Sequence, residues 1–199
     1  WAENVLGYLS ASKTVADRRG EDFAALWGTD AKHYYVHGKD NIPFHTVILP
    51  ALLLGNTAAG GFHWHLPDQI VSSEYLTLEG NKISTSKNYA IWVKDILDRY
   101  EPDSLRYFFL ANGPEKKDAD FSWREYVNSH NGELLGAYGN FINRSLSFIH
   151  KYWNGIVPTG TPDPELTHQI EELFTTTGAL IEKAAFKDAL NGIFDFIRS

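Results

Sequence analysis

Lysines and hydroxyl side chains stand close together in one short stretch of the chain. Residues 79–88 read Glu-Gly-Asn-Lys-Ile-Ser-Thr-Ser-Lys-Asn and contain Lys82, Ser84, Ser86 and Lys87. A lysine ammonium supplies a point charge to phosphate, while hydroxyls and backbone N–H groups of a tight loop donate hydrogen bonds to its oxygens. The stretch therefore suits a polyphosphate ligand. A solvated polar loop is the alternative, and for these ten residues alone it is the better interpretation.

The residues around this loop predict a strand before it and a helix after it. Residues 70–78 alternate in polarity, and the β-forming types at 75–78 favour a strand. Glu79-Gly80-Asn81 is typical of a turn. From Tyr89 onward, apolar residues recur at helical spacing, namely Ile91, Trp92, Ile96 and Leu97. We expect the loop to connect that strand to that helix.

A second strand–turn–helix unit is predicted at residues 33–54. Residues 33–38 are rich in β-forming types, and residues 42–54 form an apolar helix with Pro43 near its start, where a missing N–H costs little. In a nucleotide-binding sheet, ligands lie at the carboxyl ends of the strands. Asp40 and His45 follow the strand and should lie at that end. A core histidine held by hydrogen bonds is the alternative for His45.

The rest of the chain divides into a polar stretch and a helical one. Residues 12–30 are polar, with a short helix expected at residues 21–27. From residue 126, apolar side chains at three- and four-residue spacing predict a buried stripe on a helix, made of Leu134, Leu135, Tyr138, Phe141, Ile142, Leu146 and Ile149. Ser122 is predicted to cap a helix that begins beside it. Two further helices are predicted at 164–183 and 186–197, and antiparallel helices of this kind form a bundle.

Composition narrows the class of protein. The 199 residues are 43% hydrophobic and carry a net charge of −7, which argues against a generally basic nucleic-acid-coating protein but leaves a local RNA contact open. No run approaches the roughly 18 apolar residues of a membrane span. The absence of cysteine excludes disulfides and thiolate metal sites, and it fits a cytoplasmic location. His63 and His65 alternate on a strand, but they have no clear third ligand, so no metal site is expected.

Residues 79–88 resemble the KMSKS loop of class I aminoacyl-tRNA synthetases, and their surroundings are similar to the methionyl-tRNA synthetase family. Four further segments keep that family's order and approximate spacing: residues 1–8, 37–45, 103–107 and 140–144. The resemblance covers nearly the whole chain. Any one segment alone would be weak evidence, whereas the ordered set is specific.

The resemblance implies an α/β fold. Residues 1–78 correspond to the second half of a Rossmann-type class I catalytic core, residues 79–120 to the KMSKS loop and stem-contact connector, and residues 121–199 to an incomplete helical anticodon-binding domain. The family's His-x-Gly-His motif does not occur in the sequence. We therefore expect the first half of the core to be missing, and this fragment alone to be inactive.

The resemblance also implies a role for each matching residue. The catalytic loop groups would be Lys82, Lys87, Ser84 and Ser86. The residues at ATP or the adenylate would be Gly38, Asp40, Leu76 and Ile83, and those lining the methionine pocket would be Trp1, Tyr8, Phe44 and His45. Asn140 and Arg144 would contact the anticodon of tRNA(Met). The reaction would use ATP and Mg²⁺ to form methionyl-adenylate and then methionyl-tRNA.

Three departures from the family pattern leave alternatives open. Thr85 stands where the consensus has a second lysine, so we expect Lys82 and Lys87 to share the phosphate contacts. Asn4-Val5 and Leu49 differ from the residues common in the pocket. A noncatalytic tRNA-binding or regulatory paralogue, or another class I enzyme such as a leucine, valine or cysteine synthetase, therefore remains an alternative.

Overall fold

The computed structural model describes residues 2–28 and 30–199. Its contacts divide the chain into two compact units, Trp1–Tyr75 and Leu76–Ser199, which are described separately below. The predicted division into residues 1–78, 79–120 and 121–199 concerns functional regions and stays a prediction. No helix within the described residues is both long enough and apolar enough to cross a bilayer.

The first unit opens with helices. A 3₁₀ turn at Ala2–Leu6 leads into α1 (Gly7–Arg19), and the short α2 (Phe23–Leu26) follows. The short helix expected at residues 21–27 is therefore confirmed, and the Asp22 side chain caps it by accepting from the N–H of Ala24. Helix α1 was not predicted, because its apolar residues do not recur at helical spacing and Ala16 alone among the residues of α1 is buried. Its end carried a recognisable signal in Gly20, which ends the helix with a φ of 67°.

A parallel strand pair forms the sheet of this unit. β1 (Tyr34–Gly38) pairs with β2 (Gln69–Ser73) in a register that places Gly38 opposite Ser73. The connection between them contains a 3₁₀ turn at Lys39–Asn41, a π-helical segment at Phe44–Ile48 and α3 (Leu49–Ala58). The predicted strand–turn–helix unit at residues 33–54 is thus confirmed as a β-α-β crossover.

The π-helical segment has a local cause in the sequence. Proline at position 50 has no N–H and cannot continue the regular ladder of hydrogen bonds. Just before it, the N–H of Leu49 bonds to the carbonyl of Phe44, five residues back. Such wide turns are rare and often lie at functional sites. His45 is inside this one.

The core of the first unit lies between the sheet and the crossover helix. Leu49 and Leu53 of α3 are almost completely buried, and Val5, Trp27 and Tyr35 complete the cluster. Burial of α3 on this side follows from its apolar composition, since the helix leaves few polar groups to hydrate.

The second unit has a three-stranded sheet in the order β4-β3-β5. β3 (Leu76–Leu78) runs antiparallel to β4 (Asn81–Lys82) and parallel to β5 (Ala119–Phe121). The strand predicted just before the loop is confirmed by β3, but the alternating run at residues 70–78 is not one strand. β2 and β3 belong to different sheets, and residues 74 and 75 separate them. The predicted turn at Glu79-Gly80 is confirmed, and both residues have positive φ angles of 47° and 74°.

The helix expected directly after the lysine loop begins later than predicted. Tyr89 pairs with Ser84 in an antiparallel bridge, so residues up to Trp92 stay outside the helix and α4 covers only Val93–Leu97. The loop therefore closes a hairpin instead of joining a strand to a helix. Backbone pairing within the loop outweighed the helical spacing of the apolar residues.

The remaining elements are helical. They comprise α5 (Pro102–Asn112), α6 (Trp123–Ser129), a π-helical segment at His130–Gly139, α7 (Asn140–Trp153), α8 (Pro164–Glu182) and α9 (Phe186–Arg198). The predicted helices at 164–183 and 186–197 are confirmed, as is Ser122 as the cap of α6. Helix α8 packs against α9, and α9 packs against α5 and the π-helical segment.

The predicted buried stripe on α7 lies instead on the surface of the second unit. Phe141 is 50% and Leu146 is 58% exposed, and Leu135 and Tyr138 are exposed as well. Spacing correctly placed these side chains on one helix face, but spacing alone does not say what covers that face. The buried core lies elsewhere, around Phe108 and its neighbours Leu78, Ile96, Leu105, Phe121 and Tyr126.

Two adjacent leucines on α3 test this account of the core. Leu53 is 1% exposed and Leu54 is 54% exposed. We expect Leu53→Ala to lower the free energy of unfolding by about 2–5 kcal/mol, because it removes buried methyl groups and leaves a cavity. Leu54→Ala is the matched control and should change it by less than about 1 kcal/mol. Urea denaturation measures both, and equal losses would contradict the assigned packing.

Candidate functional site

A hydrogen bond joins two of the residues predicted to contact methionine. The hydroxyl of Tyr8 lies 2.8 Å from Nε2 of His45, and Nδ1 of His45 lies 2.9 Å from the carbonyl oxygen of Asn41. A carbonyl only accepts, so Nδ1 carries the proton, and in the neutral ring Nε2 accepts from the Tyr8 hydroxyl. His45 is 4% exposed. The structure thus brings Tyr8 and His45 together with a defined tautomer.

Aromatic rings surround this pair. The ring of Tyr35 meets Tyr8 edge-on at 5.4 Å between centroids, and His37 stacks on His45 at 4.2 Å. Nδ1 of His37 lies 3.0 Å from the Gly38 carbonyl. Burial, and secondarily the neighbouring Tyr8, raises the pKa of Tyr35 to about 12. The surroundings of His45 are therefore aromatic, and Tyr35 is uncharged at neutral pH. Both properties suit an apolar ligand group.

Of three other residues predicted for the site, the structure describes two, Phe44 and Gly38. Phe44 packs against the core cluster of the first unit. Trp1, predicted to line the methionine pocket, lies outside the described residues. Gly38 ends β1 with ordinary extended backbone, and among the described residues no atom lies within 4 Å of where its Cβ would stand. The glycine is therefore not required by the fold, and the space beside it is open.

A polar cluster occupies the carboxyl ends of β1 and β2. The Tyr75 hydroxyl donates to the Asp40 carboxylate, at 2.7 and 2.8 Å from its two oxygens. Lys39 forms an ion pair with Glu74, and its Nζ lies 4.0 Å from the centroid of the Tyr75 ring. Asp40 was predicted, whereas Glu74 and Tyr75 were missed. Both residues directly follow β2, and this position at a strand end could have marked them as candidate site residues.

His65, one of the two histidines considered as metal ligands, has a structural partner. His65 Nε2 lies 2.7 Å from the Asp68 carboxylate, and the backbone N–H of His33 donates to the same oxygen at 2.6 Å. The His33 N–H bond, and then the His65 bond, lower the pKa of Asp68. Within residues 2–28 and 30–199, no three potential metal ligands of the His, Cys, Asp or Glu type lie together.

In the second unit, the lysine loop is a closed hairpin. Ser84 and Tyr89 exchange two backbone hydrogen bonds of 2.9 Å, and the Ser84 and Ser86 hydroxyl oxygens lie 3.1 Å apart. Lys82 is on β4, and Lys87 is in the turn. Both lysines are exposed, and in the described part of the chain neither forms an ion pair. Their charges are thus available to an anionic ligand.

The other predicted residues of the second unit fall into two places. Leu76 and Ile83 line one small apolar cavity together with Leu78, Ile91, Val93, Ile96, Leu105, Phe109 and Phe121. Asn140 and Arg144 line a cavity of about 340 Å³ beside the end of α9, which contributes Ile197 and Arg198. The Asn140 side chain donates to the Gly136 carbonyl at 3.0 Å. Each predicted pair is therefore brought together.

The comparison with protein families decides the relationship. Residues 1–146 match the family described as tRNA synthetases class I (M). The chain belongs to this family. The resemblance to methionyl-tRNA synthetases and the expected class I synthetase fold, with its α/β content, are thereby confirmed.

Individual relatives agree with this assignment. The chain is 58% identical over 198 residues to a methionine–tRNA ligase of Bacillus cereus strain Q1, and 57% identical to one of Bacillus anthracis strain CDC 684. Each match covers 100% of this chain and 36% of the relative. The chain thus spans little more than a third of the length of these curated relatives.

Solved structures of the family have the same fold. Methionyl-tRNA synthetase of Mycobacterium tuberculosis bound by methionyl-adenylate superposes with a TM-score of 0.75 at 27% identity, covering 88% of this chain and 33% of that one. The free-state structure of the same synthetase gives a TM-score of 0.70 at 27% identity, covering 88% and 32%.

The raised pKa of Tyr35 has a consequence at alkaline pH. Below pH 10 this tyrosine is protonated in both states and contributes no pH dependence. Between pH 10 and about 12 the unfolded chain releases the proton and the folded chain keeps it, so stability falls as pH rises. After allowance for solvent screening, we expect a loss of about 1 kcal/mol by pH 11.

Tyr35→Phe should remove that loss. Urea denaturation at pH 9 and pH 11 measures it, as the difference in free energy of unfolding between the two values. Tyr34→Phe, on the same strand but 39% exposed, is the matched control and should keep the alkaline loss. An identical pH dependence in Tyr35→Phe and the unsubstituted protein would contradict the assignment.

Proposed function

We propose that this chain acts as part of a methionyl-tRNA synthetase, and that the complete enzyme activates methionine with ATP, forming methionyl-adenylate, and transfers the methionyl group to tRNA(Met). Family membership carries this proposal, together with the methionyl-adenylate bound by a structural neighbour that covers 88% of the chain. In the first step the methionine carboxylate attacks the α-phosphorus of ATP, the new P–O bond forms, and pyrophosphate leaves. We expect these events in the cytoplasm.

We infer that the first unit binds methionine and the adenylate. Tyr8, Phe44 and His45 present aromatic surface to a thioether, whose sulfur makes favourable contacts with ring edges. The hydrogen bonds of His45 to the Tyr8 hydroxyl and to the Asn41 carbonyl support this role, because they hold the ring in a fixed orientation. Trp1 is assigned to the same pocket on the family resemblance alone.

The adenylate would lie at the carboxyl end of β1. The open space beside Gly38 supports this, since a side chain there would take up room that the fold does not use. The Asp40 carboxylate would accept hydrogen bonds from donor groups of the adenylate. Leu76 and Ile83 of the second unit are proposed as contacts of the adenine base.

The exposed loop of the second unit is proposed to bind the phosphates. Lys82 and Lys87 would stabilise the negative charge that develops on leaving pyrophosphate, and Ser84 and Ser86 would fix the shape of the loop. Thr85 cannot supply the charge of the consensus lysine, so Lys87 takes that part. ATP is expected to enter with Mg²⁺, which binds phosphate oxygens while it retains several waters.

The functional regions follow from these assignments. We propose residues 1–78 as the second half of a Rossmann-type core, residues 79–120 as the KMSKS-type loop and stem-contact connector, and residues 121–199 as part of the helical anticodon-binding domain. Asn140 and Arg144 would contact anticodon bases, since an amide reads base edges and a guanidinium stacks on unpaired bases.

Replacing Lys82 tests the phosphate assignment. In the full-length protein we expect Lys82→Ala to slow methionine-dependent pyrophosphate exchange about a hundredfold in kcat, because a charge that acts on the leaving group is lost. The KM for methionine should change less than about threefold. The matched control is Lys183→Ala, which removes an exposed lysine at the end of α8 and should leave exchange unchanged. Unchanged exchange in Lys82→Ala would refute the role.

Replacing Arg144 tests the anticodon assignment separately. Loss of one base-stacking contact should raise the KM for tRNA(Met) about tenfold in aminoacylation, while pyrophosphate exchange without tRNA stays unchanged. Lys151→Ala removes an exposed cation on the same helix and is the control. If both variants raise the KM equally, the effect reflects general charge and not a base contact.

A further inference from the structure

Tyr75 makes two different contacts that the proposed reaction does not yet use. Its hydroxyl lies 2.7 and 2.8 Å from the two oxygens of Asp40. The face of its ring lies 4.0 Å from the ammonium of Lys39, which also pairs with Glu74. One side chain thus contacts both charged residues that follow β1.

The contact with Asp40 restricts a carboxylate that would otherwise rotate. Asp40 is exposed, and a solvated carboxylate turns readily about its Cβ–Cγ bond. A hydroxyl placed almost equally far from both oxygens fixes the plane of the group, and a hydrogen bond to an ionised acceptor is short and strong. Tyr75 can do this because the strand register sets Gly38 opposite Ser73, so the residues that follow each strand lie side by side.

Asp40 is the charged group of this cluster that can accept hydrogen bonds from a ligand, because Lys39 and Glu74 pair with each other. The Lys39 charge is balanced by Glu74. Tyr75 has a single hydroxyl proton and donates it to Asp40, which leaves the carboxylate oxygens their remaining acceptor sites. A fixed carboxylate accepts hydrogen bonds from hydroxyl or amino groups of a nucleotide more effectively than a rotating one, since less freedom is lost on binding.

We propose that Tyr75 is a positioning residue that orients Asp40 toward donor groups of bound ATP and of the adenylate. The inference rests on the proposed function, in which Asp40 binds the nucleotide. It assigns a role to a residue that the family resemblance did not single out. The Tyr75 ring also contacts the Lys39 ammonium, and this contact keeps the Lys39–Glu74 ion pair beside the Asp40 carboxylate.

The test removes one oxygen atom. In the full-length protein, Tyr75→Phe keeps the ring under Lys39 and deletes the hydroxyl. We expect kcat/KM for ATP in methionine-dependent pyrophosphate exchange to fall about tenfold, mainly through KM for ATP. The KM for methionine should stay within twofold and the melting temperature within about 2 °C. Tyr34→Phe, another exposed tyrosine with a lysine over its ring, is the matched control and should not change exchange.

Combining Tyr75→Phe with Asp40→Ala separates a positioning role of Tyr75 from a purely structural one. Asp40→Ala should lower exchange more than Tyr75→Phe does, and adding Tyr75→Phe to it should change the rate by less than twofold, because no carboxylate remains to be held. Equal effects of Tyr75→Phe in both backgrounds would overturn the inference. If Asp40→Ala lowers exchange and Tyr75→Phe does not, the inference fails and the proposed function stands. If Asp40→Ala itself has no effect, the role proposed for Asp40 fails first.

Discussion

Parallel pairing of β1 with β2 is the constraint on which the polar chemistry of the first unit depends. Parallel strands end at the same edge, and the observed register sets their last residues opposite each other. Residues 39–40 and 74–75 are far apart in sequence, yet they become neighbours as a result. A shift of register by one residue would turn every side chain of the shifted strand to the other face and separate the carboxylate from its tyrosine.

A second constraint is the direction of the hydrogen bonds around His45. The Asn41 carbonyl can only accept, so Nδ1 of His45 carries a proton, and in the neutral ring Nε2 then accepts from the Tyr8 hydroxyl. Backbone thereby sets the electronic character of a side chain that is almost wholly buried. Substitution of Asn41 by another residue would leave that carbonyl in place, so the arrangement depends on the turn and not on the identity of residue 41.

Much of the fold could be predicted from the sequence where local chemistry decides it. Gly80 and its neighbours predicted a turn, Ser122 predicted a helix cap, and the apolar run after Gly38 predicted a crossover helix. The failures have a common physical origin. The break between β2 and β3, the hairpin that includes Tyr89 and the exposure of the α7 stripe all depend on pairing or packing partners, which periodicity does not reveal. The partner of Tyr89 is Ser84, close in sequence, whereas the other two features depend on distant parts of the chain.

The site divides in the same way. The lysines and hydroxyls of the loop were singled out from residue type, and Tyr8 and His45 were each assigned from the family resemblance. Glu74 and Tyr75 were not predicted. Their importance comes from contacts with Lys39 and Asp40, which exist only once the two strands have paired.

The π-helical turn at Phe44–Ile48 also affects how related sequences should be compared. A hydrogen bond that reaches back five residues accommodates one residue more than an α-helical turn. Removal of that residue would restore the regular spiral, but it would rotate everything before it by about 100° relative to Leu49 and Leu53. His45 would then leave Tyr8. Alignments that place a one-residue gap between Pro43 and Pro50 therefore change which side chain is equated with His45, even when the flanking helix matches perfectly.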